Sequence, residues 1–369
     1  MISMSMQINI ILPYKEQFSK NKASSVSITV RNNFDYSTYK KKILIYGQFV
    51  DNPILPNNFI GINKPRNFLK SKNIHMAQEI CQIIKKKKNT KHLIEVHNRP
   101  YLVKIFDKSL DNKSIILFLH NDPLTMKGSK SVSERLDLLS RVNYICCVSN
   151  FIKKQFLDGI KKKNDKVVVI YNGVSRNLIT FPKKKKEIIY VGRIVKEKGV
   201  HLYVDAIKQI YSELNSWNFK IIGSVKLGNN IHSDHFSKKI TKDFSDLGER
   251  VKITGYLPPN ELNQILQVSS IIVIPSLWEE PFGLVAAEAM ANGIAIVSSN
   301  RGALKEVVNN KGILIDNIDK NKIVDAILML TNSKKELFKY QNLSWNNHKF
   351  TSKKSSLKLD KVRKSIFKS

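Results

Sequence analysis

IIVIPSLWEEPFGLVAAEAMANG, residues 271–293, decides how the chain is read. Four β-branched residues run into Pro275, which ends a strand because proline brings no N–H to the ladder. A short loop presents Glu279, Glu280, Pro281, Phe282 and Gly283, and the alanine-rich stretch after it predicts a helix that Gly293 stops. The first N–H groups of that helix, from Phe282, Gly283 and Leu284, have no partner within it and suit an anion, and Gly283 permits close approach. Glu280 stands beside this anion site, where its carboxylate accepts hydrogen bonds from ligand hydroxyls. Glu288 stands among Ala286, Ala287, Ala289 and Ala291. A carboxylate in such small apolar surroundings needs donors, and paired sugar hydroxyls are good ones; the bland alternative is an exposed helix residue.

Working outward, short β-branched runs alternate with helix-like stretches along the whole chain. In the first half they fall at 8–12, 42–46, 93–96, 114–119, 144–148 and 166–170, with helical periodicity at 76–84, 133–141 and 150–156. After a lysine-rich connection at 181–187 the pattern restarts, with runs at 188–191, 219–222, 251–254, 271–274, 295–298 and 312–315 and helices over 200–216, 260–268 and 284–292. Strands alternating with helices predict parallel sheets covered on both faces. The expected fold class is α/β, with two doubly wound parallel-sheet domains, 1–180 and 187–342, facing across a cleft, and a helical tail over 343–369 that packs back on the first. Ligands of such sheets sit outside the carboxyl ends of the strands.

A second strand-end loop lies in IIYVGRIVKEKG, residues 188–199. The strand ends at Gly192, and Arg193, Lys196 and Lys198 follow before a helix. An arginine fork with a lysine beside it suits a diphosphate and would neutralise charge on a departing nucleotide diphosphate. Three ordinary surface charges are the alternative.

Taken together, Val191-Gly192-Arg193 with Lys198-Gly199, Thr254-Gly255, Pro275-Ser276, the E-x7-E pair Glu280 and Glu288, and Gly302 with Glu306-Val307 resemble glycosyltransferase family 4, of the two-domain GT-B fold. The likeness covers roughly 165–345 in order and spacing. It implies a retaining transfer of a sugar from a nucleotide-diphosphate sugar to an acceptor hydroxyl. By the same resemblance Arg193 and Lys198 bind the diphosphate, Glu280 the sugar hydroxyls and Glu288 the ribose. The backbone from Phe282 to Leu284 holds sugar and phosphate, and Tyr256 and Leu257 border the base. The first domain would take the acceptor and the second the donor.

The first half matches more loosely. FLHNDP, residues 118–123, resembles the strand end where the family places a histidine facing the donor sugar, a role that falls to His120; a structural histidine capping a turn is the alternative. His97, in EVHNRP at 95–100, is a weaker candidate. The loop at 18–26 lacks the glycines usual in the family, leaving Ser24 and Ser25 to offer amides. The segments around Leu12-Pro13, His97-Asn98, His120-Asn121 and Cys147-Val-Ser-Asn150 are similar to transferases of bacterial envelope glycans, especially of lipopolysaccharide core. With no D-x-D, H-E-x-x-H or Cys/His cluster, no metal and no cofactor are expected.

Composition sets the remaining bounds. The 369 residues carry 62 Lys+Arg against 30 Asp+Glu, a net +32. Such an excess invites an anionic partner, but only ten of the 62 are Arg, which weakens a nucleic-acid reading. Runs at 40–42, 85–88, 161–163 and 183–186 read mainly as solvated surface. Residues 1–180 hold +19 of the charge, which favours peripheral docking of the acceptor half on an anionic membrane. Cys81, Cys146 and Cys147 show no paired spacing, residues 1–12 lack the features of a secretory signal, and no apolar run reaches about 18 residues, so a cytoplasmic location is expected. Two rivals stand beside the transferase. One is a basic protein binding nucleic acid, and the other a glycan-polymer synthase or sugar-phosphate hydrolase of the same fold. A nucleotide-dependent oxidoreductase is set aside because 222–228 lacks G-x-G-x-x-G.

Overall fold

The computed structural model describes residues 5–65, 71–87, 89–161, 164–225 and 234–368. Lys88, Lys162 and Lys163 of the lysine runs and Gly228 of the rejected dinucleotide loop lie outside the described residues. The chain divides into two units, Met1–Gly173 with Ser352–Ser369, and Val174–Thr351. The break falls after Gly173 rather than near 180, and 343–351 stay with the second unit. There Val174 N–H donates to the Phe350 carbonyl at 2.8 Å, and the lysine run expected to be a linker enters a strand at Lys185.

Unit 1 is built on β1 (Ser5–Ile11), β2 (Ile43–Gln48), β3 (Phe59–Ile62), β4 (Thr90–His97), β5 (Lys113–Leu119), β6 (Tyr144–Cys147) and β7 (Val167–Val169). All pair in parallel, in the order β3-β2-β1-β4-β5-β6-β7. The connecting helices are α1 (Ser25–Tyr36), α2 (Lys72–Lys85), α3 (Val103–Ser109), α4 (Val132–Arg141) and α5 (Asn150–Leu157). Local chemistry starts several of them. Ser24 and Ser149 cap α1 and α5, and Ser131 with Glu134 forms a capping box on α4. Strand alternation puts Ile8, Ile10, Ile43, Ile45, Leu93 and Ile116 into one core, which Leu359 and Ile366 of the C-terminal helix (Ser352–Lys368) close. β3 escapes a sequence reading because four residues with a central glycine, FIGI, carry too short a signal.

The C-terminal helix also brings a charge inside. Arg363 is 1% exposed and bonds both Glu95 oxygens, Nε at 2.8 Å and Nη2 at 2.9 Å, while Nη1 bonds Asp360 at 3.0 Å. Asp360 is in turn satisfied by the Ser37 hydroxyl and by the Thr38 amide and hydroxyl. A side chain that reads as one more surface cation is thus a buried, fully partnered strut.

Unit 2 contains β8 (Lys185–Val191), β9 (Asn218–Ile222), β10 (Val251–Gly255), β11 (Ser269–Ile274), β12 (Ala295–Ser299) and β13 (Ile313–Ile315), parallel in the order β10-β9-β8-β11-β12-β13. Its helices are α6 (Val200–Ile210), α7 (His235–Ser245), α8 (Pro259–Val268), α9 (Leu284–Ala291), α10 (Leu304–Val308), α11 (Lys320–Asn332) and α12 (Lys334–Asn346). The helix expected over 200–216 ends at Ile210, before Ser212, Asn215 and Ser216, residue types that favour turns over helix interiors. Lys184, read as solvated, instead donates to the carbonyls of Gln267 at 2.9 Å and Asn292 at 2.6 Å, at the C-terminal ends of α8 and α9. The tail aromatics belong to this unit: Arg176 lies 3.8 Å over the Trp345 ring, and Phe350 meets Phe282 edge-on.

Candidate active site

Strand order reverses in unit 2 between β8 and β11, so the loops leaving these neighbours diverge and open a crevice at their carboxyl ends. Both loops singled out in the sequence start there. They are tied together: Gly199 takes φ +68°, and a Cβ at that position would stand 1.8 Å from the Pro275 carbonyl oxygen. Leu277 and Trp278 N–H both donate to the Glu197 carbonyl, at 2.9 and 3.1 Å.

The tie brings Lys198 to Glu280. Its Nζ lies 2.5 Å from Glu280 Oε1, which also accepts from the Ser276 hydroxyl at 2.8 Å. Both donors converge on one oxygen, and Oε2 has no hydrogen bond among the described residues. The backbone of Glu280 is fixed as well, because its carbonyl accepts from Ala303 N–H at 2.7 Å. Beside it Glu279 takes the Gly302 N–H at 2.5 Å and pairs with Arg301 at 3.0 Å. Sequence reading missed Ser276, Glu279 and the 301–303 segment as supports. Pro275-Ser276 and Gly302 were in view, but nothing local says what they touch.

The remaining candidates take distinct places. Gly283, at φ +88°, is the N-cap of α9, and Leu284 is its first residue. Phe282 is 2% exposed with its ring in the core against Phe350, so only its backbone faces the crevice chemistry. Arg193 is exposed, directly after the β8 strand end, and its guanidinium has no ion pair among the described residues. Glu288 lies in the second turn of α9 with no side-chain partner among the described residues, and burial pushes its carboxyl up to about 7. Tyr256 follows β10, the edge strand two places from β8, at the same carboxyl edge of the sheet, where Gly223 N–H donates to the Gly255 carbonyl at 2.9 Å and Gly192 N–H to the Ile222 carbonyl at 3.0 Å.

His120 belongs to unit 1, at the end of β5, beside the end of β4. His97 Nδ1 and His120 Nε2 are joined at 2.9 Å, and the His97 ring stacks on Phe118 at 4.3 Å. One nitrogen of such a pair must carry the proton and the other must lack it, so the dyad resists full protonation. Burial lowers His120 to about 4, and burial with the His120 and Arg363 charges lowers His97 well below its ordinary value. Asn98, in left-handed backbone at φ +55°, accepts from the amides of His120 and Asn121, both at 3.2 Å. The Ser24 hydroxyl, in the glycine-free loop, is bonded to Glu16 and caps α1.

Among the described residues no cluster of three or more His, Cys, Asp or Glu is placed to hold a metal, and no helix is long and apolar enough to cross a membrane. Residues 174–347 match the family described as glycosyl transferases group 1. A putative glycosyltransferase, YtcC, of Bacillus subtilis is 27% identical over 250 residues, 62% of this chain and 60% of the relative. The lipopolysaccharide 1,2-N-acetylglucosaminetransferase of Salmonella typhimurium is 27% identical over 121 residues, 33% of this chain and 32% of that protein. The chain thus spans less than two thirds of the length of these curated relatives. The crystal structure of Anabaena Alr3699/HepE in complex with UDP and glucose superposes with a TM-score of 0.75 at 15% identity, covering 98% of this chain and all of the other, which establishes a GT-B fold. Residues 174–347 thus resemble the glycosyl transferases group 1 family, in a chain of two parallel α/β units with the GT-B fold.

Proposed function

We propose that the protein is a retaining, family 4 glycosyltransferase that moves a sugar from a nucleotide-diphosphate sugar to a hydroxyl of an envelope glycan or glycolipid, with lipopolysaccharide core as the acceptor class. The observation that carries this reading is the Lys198–Glu280 pair beside the N-terminus of α9, with Glu280 Oε2 left open. In this reading Oε2 accepts from donor-sugar hydroxyls, and the hydroxyls of the ribose supply the donors that Glu288 lacks. Arg193, the remaining protons of Lys198 and the α9 amides meet the diphosphate charge. The bond from the anomeric carbon to the phosphate oxygen breaks and its electron pair leaves with the diphosphate. The acceptor hydroxyl bonds the same face of that carbon, and its proton passes to a departing phosphate oxygen. No side chain is assigned as base. Neutral His120 is assigned to a donor-sugar hydroxyl, and Tyr256 to the base. The relatives named for glycosyl transfer, one of them on lipopolysaccharide, support the class. The cations and helix amides supply the charge compensation, so the reading needs no metal, and turnover is expected to survive chelation by EDTA. It places the enzyme in the cytoplasm, on the inner face of the membrane.

The test is a panel of UDP-, GDP- and ADP-sugars scored by thermal stabilisation and then by transfer to truncated lipopolysaccharide cores. One nucleotide series is expected to raise the melting temperature. A panel in which no nucleotide sugar stabilises the protein or is consumed overturns the reading.

A further inference from the structure

In unit 1 the strand order reverses between β1 and β4, and the donor chemistry proposed above uses nothing in the loop that follows His97. An open depression of about 200 Å³ lies there, lined by Asn98, Arg99, Pro100, Tyr101, Met126 and Lys127. Its walls are the loops after β4 and β5, and these are locked together. Gly128 takes φ +87°, and a Cβ there would lie 2.8 Å from the Tyr101 nitrogen. Pro100 begins a tight turn, Pro100–Leu102, and both its end residues are buried. The depression is therefore preformed, which reduces the ordering cost of filling it.

Its chemistry is cationic on apolar walls. The Arg99 guanidinium makes one hydrogen bond, to the neighbouring Asn98 carbonyl at 2.7 Å, and no ion pair among the described residues. The acid that feels its charge, Glu16, is engaged by the Ser24 hydroxyl, and burial pushes its carboxyl up. Lys127 Nζ stands 5.5 Å from the Tyr101 ring centroid, likewise without an ion pair among the described residues. Tyr101 and Met126 supply the apolar walls. Two cations without an ion pair among the described residues, beside an aromatic and a thioether, match a ligand with an apolar ring face and a negative group at its edge.

We propose that this depression is a subsite for an acidic sugar of the acceptor, its carboxylate or phosphate held by Arg99 and Lys127. The proposal rests on the glycosyltransferase reading and narrows its acceptor. The test uses the full chain in about 0.15 M salt, where long-range attraction is screened. Binding of methyl α-D-glucuronide, methyl α-D-glucoside 6-phosphate and neutral methyl α-D-glucoside is followed by saturation-transfer NMR. At least one acidic glycoside is expected to bind about tenfold tighter than the neutral one, and the pair of acids tells carboxylate from phosphate. Arg99→Ala abolishes the preference, Arg99→Lys keeps part of it, and Lys41→Ala, an exposed lysine elsewhere, leaves it intact. Equal binding of acidic and neutral glycosides, a preference that survives Arg99→Ala in folded protein, or equal losses from Arg99→Ala and Lys41→Ala overturns the proposal. No turnover is needed, so failure to bind or use any nucleotide sugar overturns the transferase reading while leaving acid binding at Arg99 measurable.

Discussion

At the scale of single residues, the candidate site turns on which polar atoms are satisfied and which are open. Glu280 Oε1 accepts two hydrogen bonds, and Oε2, with none among the described residues, is the open acceptor of the E-P-F-G loop. Glu280→Gln and Lys198→Ala are each expected to lower kcat by about 100-fold or more, with a melting temperature near that of the parent. Wild-type turnover in either purified variant removes both residues from the chemistry. Glu288 makes a pH prediction. Burial raises its carboxyl to about 7 from 4.5, so between those pH values the folded chain holds a proton that the unfolded chain has shed. Its contribution to stability therefore falls as pH rises from 4.5 to 7, and a ligand donating hydroxyls to it offsets the loss. Melting curves across that window are expected to flatten in Glu288→Gln, and an unchanged slope refutes the assignment. The histidine dyad has the opposite sign. Because burial lowers His120 to about 4, its contribution is present above the unfolded value of 6.5 and fades as pH falls toward 4.

At the scale of elements, two cations that read as surface charge act as ties. Lys184 gathers the carbonyl ends of α8 and α9, and α9 is the helix whose opposite end forms the proposed anion site. Lys184→Met is expected to cost about 1–3 kcal/mol, read by denaturant unfolding, and to weaken nucleotide-sugar binding through α9. Arg363 ties the C-terminal helix to β4 through Glu95. Arg363→Ala strands a buried carboxylate, and about 3–5 kcal/mol is expected to be lost. A volume-matched replacement of Arg363 and Glu95 together by apolar residues recovers much of it. If the single and double variants lose the same stability, the strut is not what secures the helix.

At the scale of the whole molecule, the net charge of +32 is the dominant property. Not every basic side chain is free surface charge: Arg363 is buried against Glu95 and Asp360, Lys184 is engaged by helix carbonyls, Lys198 is paired with Glu280, and Arg193 and Arg99 belong to the candidate sites. The surface remainder supports peripheral docking on an anionic membrane. Binding to phosphatidylglycerol-rich liposomes is expected to be strong at low ionic strength and to fall steeply as salt rises over about one Debye length of screening. Liposome binding that ignores salt sinks this expectation, whereas equally steep binding to DNA, unaffected by nucleotide sugar, returns the nucleic-acid rival.

The wound α/β class, most strands and the strand-end position of the residues from Arg193 to Glu288 are legible in the sequence. These rest on local signals: β-branched runs, a proline stop, glycine at a helix start, and fixed motif spacing. Only the tertiary structure decided which of these residues meet. That β8 lies against β11, joining Lys198 to Glu280 across 82 positions of sequence, follows from crossover connections that no local pattern encodes. The same holds for His97 with His120, for Arg363 under β4, and for the end of the first unit at Gly173. A parallel sheet pairs strands distant in the chain, so the partner of each polar group is settled by packing, and with it which charges face water and which face a ligand.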